Sequence, residues 1–371
     1  MKLKIPDNIK DITPYPPGKP IDELEREYGV TGSIKLASNE NPLGPSPLAL
    51  KAMHSSLEEM HRYPDGSGYY LTRALADRLG VDPEQVVLGN GSNEIIEFLV
   101  KAFVQKGDEV ITSQPSFLMY QKFVQIRGGE NIVIPLRGMA HDLKAITEQV
   151  TEKTRLIFID NPNNPTATLI TPDDLYSFLA AIPEHVVVIL DEAYIDFVDQ
   201  ELQVDINPLI NDTEKRCGVV SLRTFSKAYG LAGLRVGFGL MPSSIAACLH
   251  KVRQPFNING VALSGALAAL QDTDFYQRTL ASVKEGKRYL MHELEKLGCR
   301  SYPSQTNFFL IDVRGDATLL YESMLRKGVI VRSMKAYGFP GFIRINVGTP
   351  SENDRFLAAL KVCLQECGYA G

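Results

Sequence analysis

The sequence predicts an α/β protein in which a large domain, built on a mostly parallel sheet flanked by helices, is followed by a smaller α+β domain. Three observations predict it. Short apolar β-rich runs alternate with helical patterns from about Val86 to Leu240. The C-terminal hundred residues change to a long helix, three β runs and a closing helix. The chain has 371 residues, 44% of them hydrophobic, enough for about two domains with sizeable cores.

The strands are expected at residues 86–88, 109–112, 156–159, 186–190, 219–222 and 236–240. Between the first two, Ile95, Phe98, Leu99, Ala102 and Phe103 recur at helical spacing and predict a one-faced helix over 94–106. Strands alternating with helices imply a parallel sheet covered on both faces. In the C-terminal part a helix is expected over 275–297, strands at 307–313, 329–333 and 342–347, and a helix over 352–367. Prolines at 14, 16, 17, 20, 42, 45 and 47 mark the start as an extended arm. The division read from this is an arm (1–46), a large domain (47–271) and a small domain (272–371).

Composition excludes several classes. Gly (29) and Pro (22) sit near average usage, against collagen, disorder and low complexity. Lys and Arg total 39 against 44 Asp and Glu, a formal charge of −5. A general nucleic-acid binder carries a basic excess, so only a local pocket for a small anion remains open. The start, Met1 to Asp7, lacks the apolar core of a signal peptide, and no run approaches the roughly 18 apolar residues of a membrane span. A soluble cytoplasmic protein without membrane or nucleic-acid partners is expected. Five cysteines without C-x-x-C and six histidines without H-E-x-x-H point to reduced thiols and no metal site.

Five segments carry chemistry. Ser226-Lys227-Ala228-Tyr229-Gly230 runs on to Arg235 just beyond a buried strand. A desolvated lysine there favours its neutral amine and suits Schiff-base formation, while Ser226 and Arg235 suit a phosphate. The alternative is a surface loop. Asp191 and Tyr194 follow the apolar run Val186 to Leu190, placing a carboxylate at the sheet edge where α/β ligands bind. It needs a cation, and a protonated pyridine nitrogen would serve; an ordinary strand-end turn is the other reading. Gly89-Asn90-Gly91-Ser92-Asn93-Glu94 opens a helix and either cradles an anion or simply caps the helix. The position of Glu94 excludes the third glycine of G-x-G-x-x-G, against a nicotinamide-dependent oxidoreductase. Asn164, in Asp160-Asn161-Pro162-Asn163-Asn164-Pro165, can donate to a ligand oxygen, or the segment is a rigid turn. Phe117 after Gln114-Pro115-Ser116 stacks on a flat ring or lies in the core. Arg332 and Arg344 each interrupt an apolar strand. Two such arginines point to an acidic substrate, or both face solvent.

With these motifs assembled, the sequence resembles the fold-type I pyridoxal-phosphate enzymes nearly end to end, and within them the histidinol-phosphate aminotransferase family. Further segments that carry the likeness are Tyr15-Pro16-Pro17-Gly18-Lys19-Pro20, Leu36 to Gly44, and Arg62-Tyr63-Pro64-Asp65. The resemblance implies pyridoxal 5′-phosphate bound covalently by Lys227, which also moves the proton. It implies Asp191 at the pyridine nitrogen, Tyr194 and Asn164 at the 3′ oxygen, and Phe117 against the ring. Ser226, Arg235, Ser92 and Asn93 would hold the cofactor phosphate, joined by Tyr63 from the second subunit of a homodimer. Arg344 would take the substrate carboxylate, with Arg332, Tyr15 and Asn41 at the distal group. The arm would join the small domain and the dimer interface. The implied substrates are histidinol phosphate and glutamate/2-oxoglutarate. Related activities of the same family are aromatic-amino-acid transamination and threonine-phosphate decarboxylation. A pyridoxal-phosphate-binding regulatory domain would carry a DNA-binding module, and no helix-turn-helix or basic stretch is evident.

Overall fold

The structure, a computed structural model, describes residues 3–14, 18–211 and 217–369. Its strands are β1 (Ile34–Lys35), β2 (Val86–Gly89), β3 (Glu109–Gln114), β4 (Glu130–Pro135), β5 (Thr154–Asp160), β6 (Val187–Asp191), β7 (Gly218–Thr224), β8 (Gly237–Leu240), β9 (Arg300–Ser301), β10 (Phe308–Asp312), β11 (Val329–Ile330), β12 (Arg332–Ser333) and β13 (Phe342–Asn346). β2 to β8 form one sheet in the order β2-β8-β7-β6-β5-β3-β4. β3 to β7 run parallel, and only β8 opposes its neighbours β2 and β7.

Side chains alternate across this sheet into two cores. On β5, Leu156 and Phe158 join one and Ile157 and Ile159 the other; on β6, Ile189 opposes Val188 and Leu190. Burial on both faces explains why these strands are continuous apolar runs rather than alternating ones. β4 is not among the expected strands; it is an edge strand that pairs with β3 and is partly exposed. The expected helix over 94–106 spans Ser92–Phe103 instead. It stops because Val104 turns extended and buries its side chain.

The C-terminal part holds the helix Thr273–Lys296, the antiparallel sheet β12-β13-β10-β9 and the closing helix Pro350–Glu366. The expected single strand at 329–333 is split. β11 pairs parallel with β1 of the arm, and β12 pairs with β13. The arm is less extended than its prolines imply: it contains helices Asp7–Lys10 and Ile21–Tyr28. Asn8 donates to Ile126 O at 2.8 Å, so the first helix docks on helix Met119–Arg127 of the large sheet's cover.

The loop after Lys227 is fixed by a close approach to the arm. Gly230 has φ +69°, and a Cβ there would lie 2.1 Å from Gly44 O. Gly230→Ala is therefore expected to destabilise the fold by at least about 2 kcal/mol through backbone strain and displacement of the arm. Urea unfolding checks this; a midpoint equal to the parent's contradicts the close packing.

Candidate active site

Five strands deliver side chains to one place. Ser92 and Asn93 follow β2, Phe117 follows β3, Asn164 follows β5, Tyr194 follows β6, and Lys227 follows β7. All line a single cavity of about 280 Å³, as do Asp160 and Asp191 at the last positions of β5 and β6. The cavity lies at the carboxyl edge of the parallel strands, where loops leave the sheet and leave their backbone groups open to a ligand.

One end is built for an anion. Gly91 caps helix Ser92–Phe103 with φ +78°, and a Cβ there would come within 2.5 Å of the Arg235 guanidinium. Glycine thus lets Arg235 sit over the positive end of the helix dipole. Arg235 donates to Ser226 Oγ at 3.4 Å and to Ala232 O at 3.1 Å. It is held at φ +57°, a strained conformation that the surroundings impose. Thr224 Oγ1 donates to Ser226 Oγ at 3.0 Å. At Gly237 a Cβ would stand 2.4 Å from Ser92 N, so this second glycine lets β8 pass the helix start.

The other end is built for a cation. Asp191 is 7% exposed and accepts from Tyr120 Oη at 2.8 Å and Ala193 N at 3.1 Å. Burial pushes its carboxyl up to about 6, against the pull of the Tyr120 hydrogen bond, and the neighbouring Asp160 charge pushes the same way. A buried carboxylate in this condition gains from a positive group placed opposite it.

Lys227 lines the same cavity, its Nζ 3.3 Å from Ser38 O and 5.6 Å from the Tyr194 ring centre. Burial pushes its amine down to about 8, and the nearby Arg344 charge adds to this. Tyr194 is pushed up to about 12 by burial, so it stays a donor, and its oxygen accepts from Asn39 Nδ2 at 2.8 Å. Arg344 is 6% exposed; it donates to Ala37 O at 2.9 Å and to Asn164 Oδ1, and lies over the Phe308 ring. Phe117 meets Tyr120 edge-on, ring centres 5.5 Å apart. Arg332 also lines the cavity, and it is the register partner of Arg344 across β12 and β13.

Two of the residues singled out in the sequence lie elsewhere. Asn41 does not line the cavity: it donates to Ala228 O at 2.9 Å and so braces the lysine loop. Tyr63 is 83% exposed and stacks on Phe256 at 4.8 Å, away from this chain's own cavity. Tyr15 lies outside the described residues. Tyr120, Asn39, Thr224 and Asp160 belong to the cavity or its first support without having been singled out. For Tyr120 the only signal is its position three residues after Phe117, which reads equally as core.

The donors fit a flat, phosphorylated, cationic ring bearing an aldehyde. The glycine-lined cradle with Arg235 suits the phosphate, Asp191 the ring nitrogen, and the buried Lys227 amine the aldehyde carbon. Pyridoxal 5′-phosphate is such a group.

Comparison with known proteins gives the same result. Residues 31–360 match the family model described as aminotransferase class I and II. The chain is 64% identical over 369 residues to a histidinol-phosphate aminotransferase of Desulfotalea psychrophila, covering 100% of this chain and 97% of that one. It is 46% identical to histidinol-phosphate aminotransferase 1 of Nitrosococcus oceani, covering 96% of both. Its structure is similar to that of the histidinol-phosphate aminotransferase of Sinorhizobium meliloti in complex with pyridoxal 5′-phosphate. There the TM-score is 0.90 and the identity 26%, with 99% of each chain covered. The chain belongs to the class I and II aminotransferase family, among its histidinol-phosphate aminotransferases, and has the fold-type I pyridoxal-phosphate architecture.

Proposed function

We propose that this chain transfers an amino group between L-histidinol phosphate and 2-oxoglutarate in histidine biosynthesis, using pyridoxal 5′-phosphate. The observation that carries this reading is the opening of the buried Lys227 amine and the buried Asp191 carboxyl on one cavity with Arg344. The substrate assignment is supported by the relatives' shared activity. In this reading residues 47–271 hold the cofactor, and 272–371 with the arm 1–46 close the substrate side.

When bound, the cofactor supplies a protonated ring into which the electron pair left on the substrate Cα is delocalised. The residues supply the rest. Asp191 faces the ring nitrogen and keeps its proton. Arg235, Ser226 and the N–H groups of Ser92 and Asn93 take the phosphate, and Phe117 covers one ring face. Tyr194 and Asn164 donate to the 3′ oxygen. Lys227 would hold the cofactor through its Nζ, and the same amine, when free, would serve as the base for the substrate Cα proton. Arg344 takes the carboxylate of glutamate, and Arg332 the distal phosphate or carboxylate. Both substrates are anionic, so one pair of arginines serves both.

A homodimer with shared sites belongs to this reading. Helices Pro47–Ser56 and Gly260–Gln271 pack together; Leu48, Leu50 and Leu57 are exposed, and exposed Met60 and Tyr63 line an open groove of about 810 Å³. Such an apolar face favours a partner, and a second copy would bring Tyr63 of the partner subunit to the cofactor phosphate. A cytoplasmic location belongs to this reading, and no disulfide joins cysteines among the described residues. No helix among the described residues is long and apolar enough to cross a membrane.

The decisive experiment is a visible spectrum of the cofactor-loaded protein titrated with histidinol phosphate, followed by steady-state rates on histidinol phosphate, phenylalanine and threonine phosphate. Histidinol phosphate should change the spectrum and give the highest kcat/KM; a wide margin for either other substrate overturns the substrate assignment. In the same assay Arg344→Ala should raise KM for glutamate by about 10-fold or more, because a buried charged hydrogen bond is lost. Sedimentation should give a dimer, and a monomer at assay concentration would remove the role of Tyr63.

Asp191→Asn separates stability from activity. The folded-state value of about 6 lies above the ordinary 3.8. The folded cofactor-free protein therefore holds this proton more tightly than the unfolded chain, and its stability falls as pH rises from about 4 to about 6. The amide carries no such penalty. Cofactor-free Asp191→Asn should be more stable than the parent at pH 7, by up to about 3 kcal/mol, with the difference vanishing below pH ~4. Its kcat should fall by about 100-fold or more. Equal stabilities at pH 7 would show that Asp191 is not desolvated as described.

A further inference from the structure

Asp160 is a second buried carboxylate beside Asp191, and the chemistry just described makes no use of it. The two are register partners at the ends of β5 and β6. Asp160 is 4% exposed, and both of its oxygens are occupied. Oδ2 accepts the Asn164 N–H at 2.9 Å, while Oδ1 accepts Asn163 Nδ2 at 3.1 Å and lies 3.2 Å from His141 Nε2. His141 is itself buried. Its Nε2 lies 3.0 Å from Asp160 O, and its Nδ1 lies 2.7 Å from Ser113 Oγ on β3. The imidazole is thus clamped between the ends of β3 and β5, which are neighbours in the sheet.

Placing a like charge next to Asp191 is unfavourable in a dry interior. What offsets that cost is visible in the loop. Asn163 Oδ1 accepts from Thr166 N at 3.1 Å and from Thr166 Oγ1 at 2.6 Å, closing the turn. Asp160 grips the same turn from the strand side, through the backbone N–H of Asn164. The side chain of Asn164 points the other way, where its Oδ1 receives Arg344. The carboxylate therefore fixes the backbone of the residue whose side chain meets the cavity.

We propose that Asp160, oriented by His141, is a positioning residue that sets the placement of Asn164 at the 3′ oxygen of the cofactor. The inference rests on the functional reading above only in giving Asn164 that contact. Asp160→Asn has nearly the same shape but one acceptor oxygen in place of two, so either the Asn164 N–H or the His141–Asn163 side loses its acceptor.

The test uses the cofactor-loaded enzyme and reads the pH midpoint of its visible absorbance change together with kcat and KM. A weakened donor at the 3′ oxygen leaves the anionic oxygen to pair with the neighbouring nitrogen-bound proton. In Asp160→Asn the midpoint should therefore rise by about one pH unit. The kcat should fall about tenfold, and KM for glutamate should rise with it, because Asn164 Oδ1 also receives Arg344. Asn164→Ala should behave alike, and the double variant should be no worse than Asn164→Ala alone. Additive losses, or an unshifted midpoint with parental kcat whatever the loss of stability, would overturn the proposal. If Asp160→Asn does not fold, His141→Gln, which lacks the bridge to Ser113, is read in its place. It should show a smaller shift of the same sign, and no shift would overturn the proposal. A parent enzyme with no visible band or no turnover of histidinol phosphate would instead count against the functional reading.

Discussion

Taking Lys227 and Asp191 out of water costs free energy that the rest of the fold must supply. Burial destabilises the charged form of each, moving the amine down to about 8 and the carboxyl up to about 6. These shifts suit the chemistry proposed for the two residues. The amine becomes available as nucleophile and base at moderate pH, and the carboxyl becomes a place where a ring cation is preferred to water. The requirement is a dry cavity with fixed walls, and the parallel sheet meets it. β5, β6 and β7 are fully hydrogen-bonded neighbours, buried on both faces. Their ends cannot shift without disrupting two cores.

The cavity is closed by parts of the chain far apart in sequence. Asn39 of the arm donates to Tyr194, its N–H is taken by Asn346 Oδ1 at 3.0 Å, and its carbonyl accepts from Asn307 Nδ2 at 3.1 Å. One asparagine at φ +56° thereby ties the arm, the small sheet and the end of β6 together. β1 pairing with β11 supports the same connection. The arm and the small domain therefore supply one part of the cavity lining, and the strand ends and loops of the large sheet supply the rest.

Charged groups of both signs line the cavity: Lys227, Arg235, Arg332 and Arg344 share it with Asp160 and Asp191. Arg344 depresses the lysine's proton affinity as well as offering donors to an anion. A bound substrate carboxylate would partly neutralise that charge. Substrate binding and the basicity of Lys227 are therefore physically linked.

Local patterns in the sequence determined the α/β class, the strand runs 156–159 and 186–190, the lysine loop with its serine and arginine, and the Asp191 motif. Each is legible because its cause is local: a buried parallel strand must be apolar throughout, and the residues at its carboxyl end are the ones released from that rule. Only the tertiary structure decided the edge strand β4, the splitting of 329–333 between two sheets, and the contacts of Asn39, Tyr120 and Asp160. Their partners lie 155, 71 and 19 residues away, in Tyr194, Asp191 and His141. Hydrogen bonds between residues so far apart leave no periodic trace, because which polar side chains meet is set by how strands and arm pack, not by their spacing along the chain.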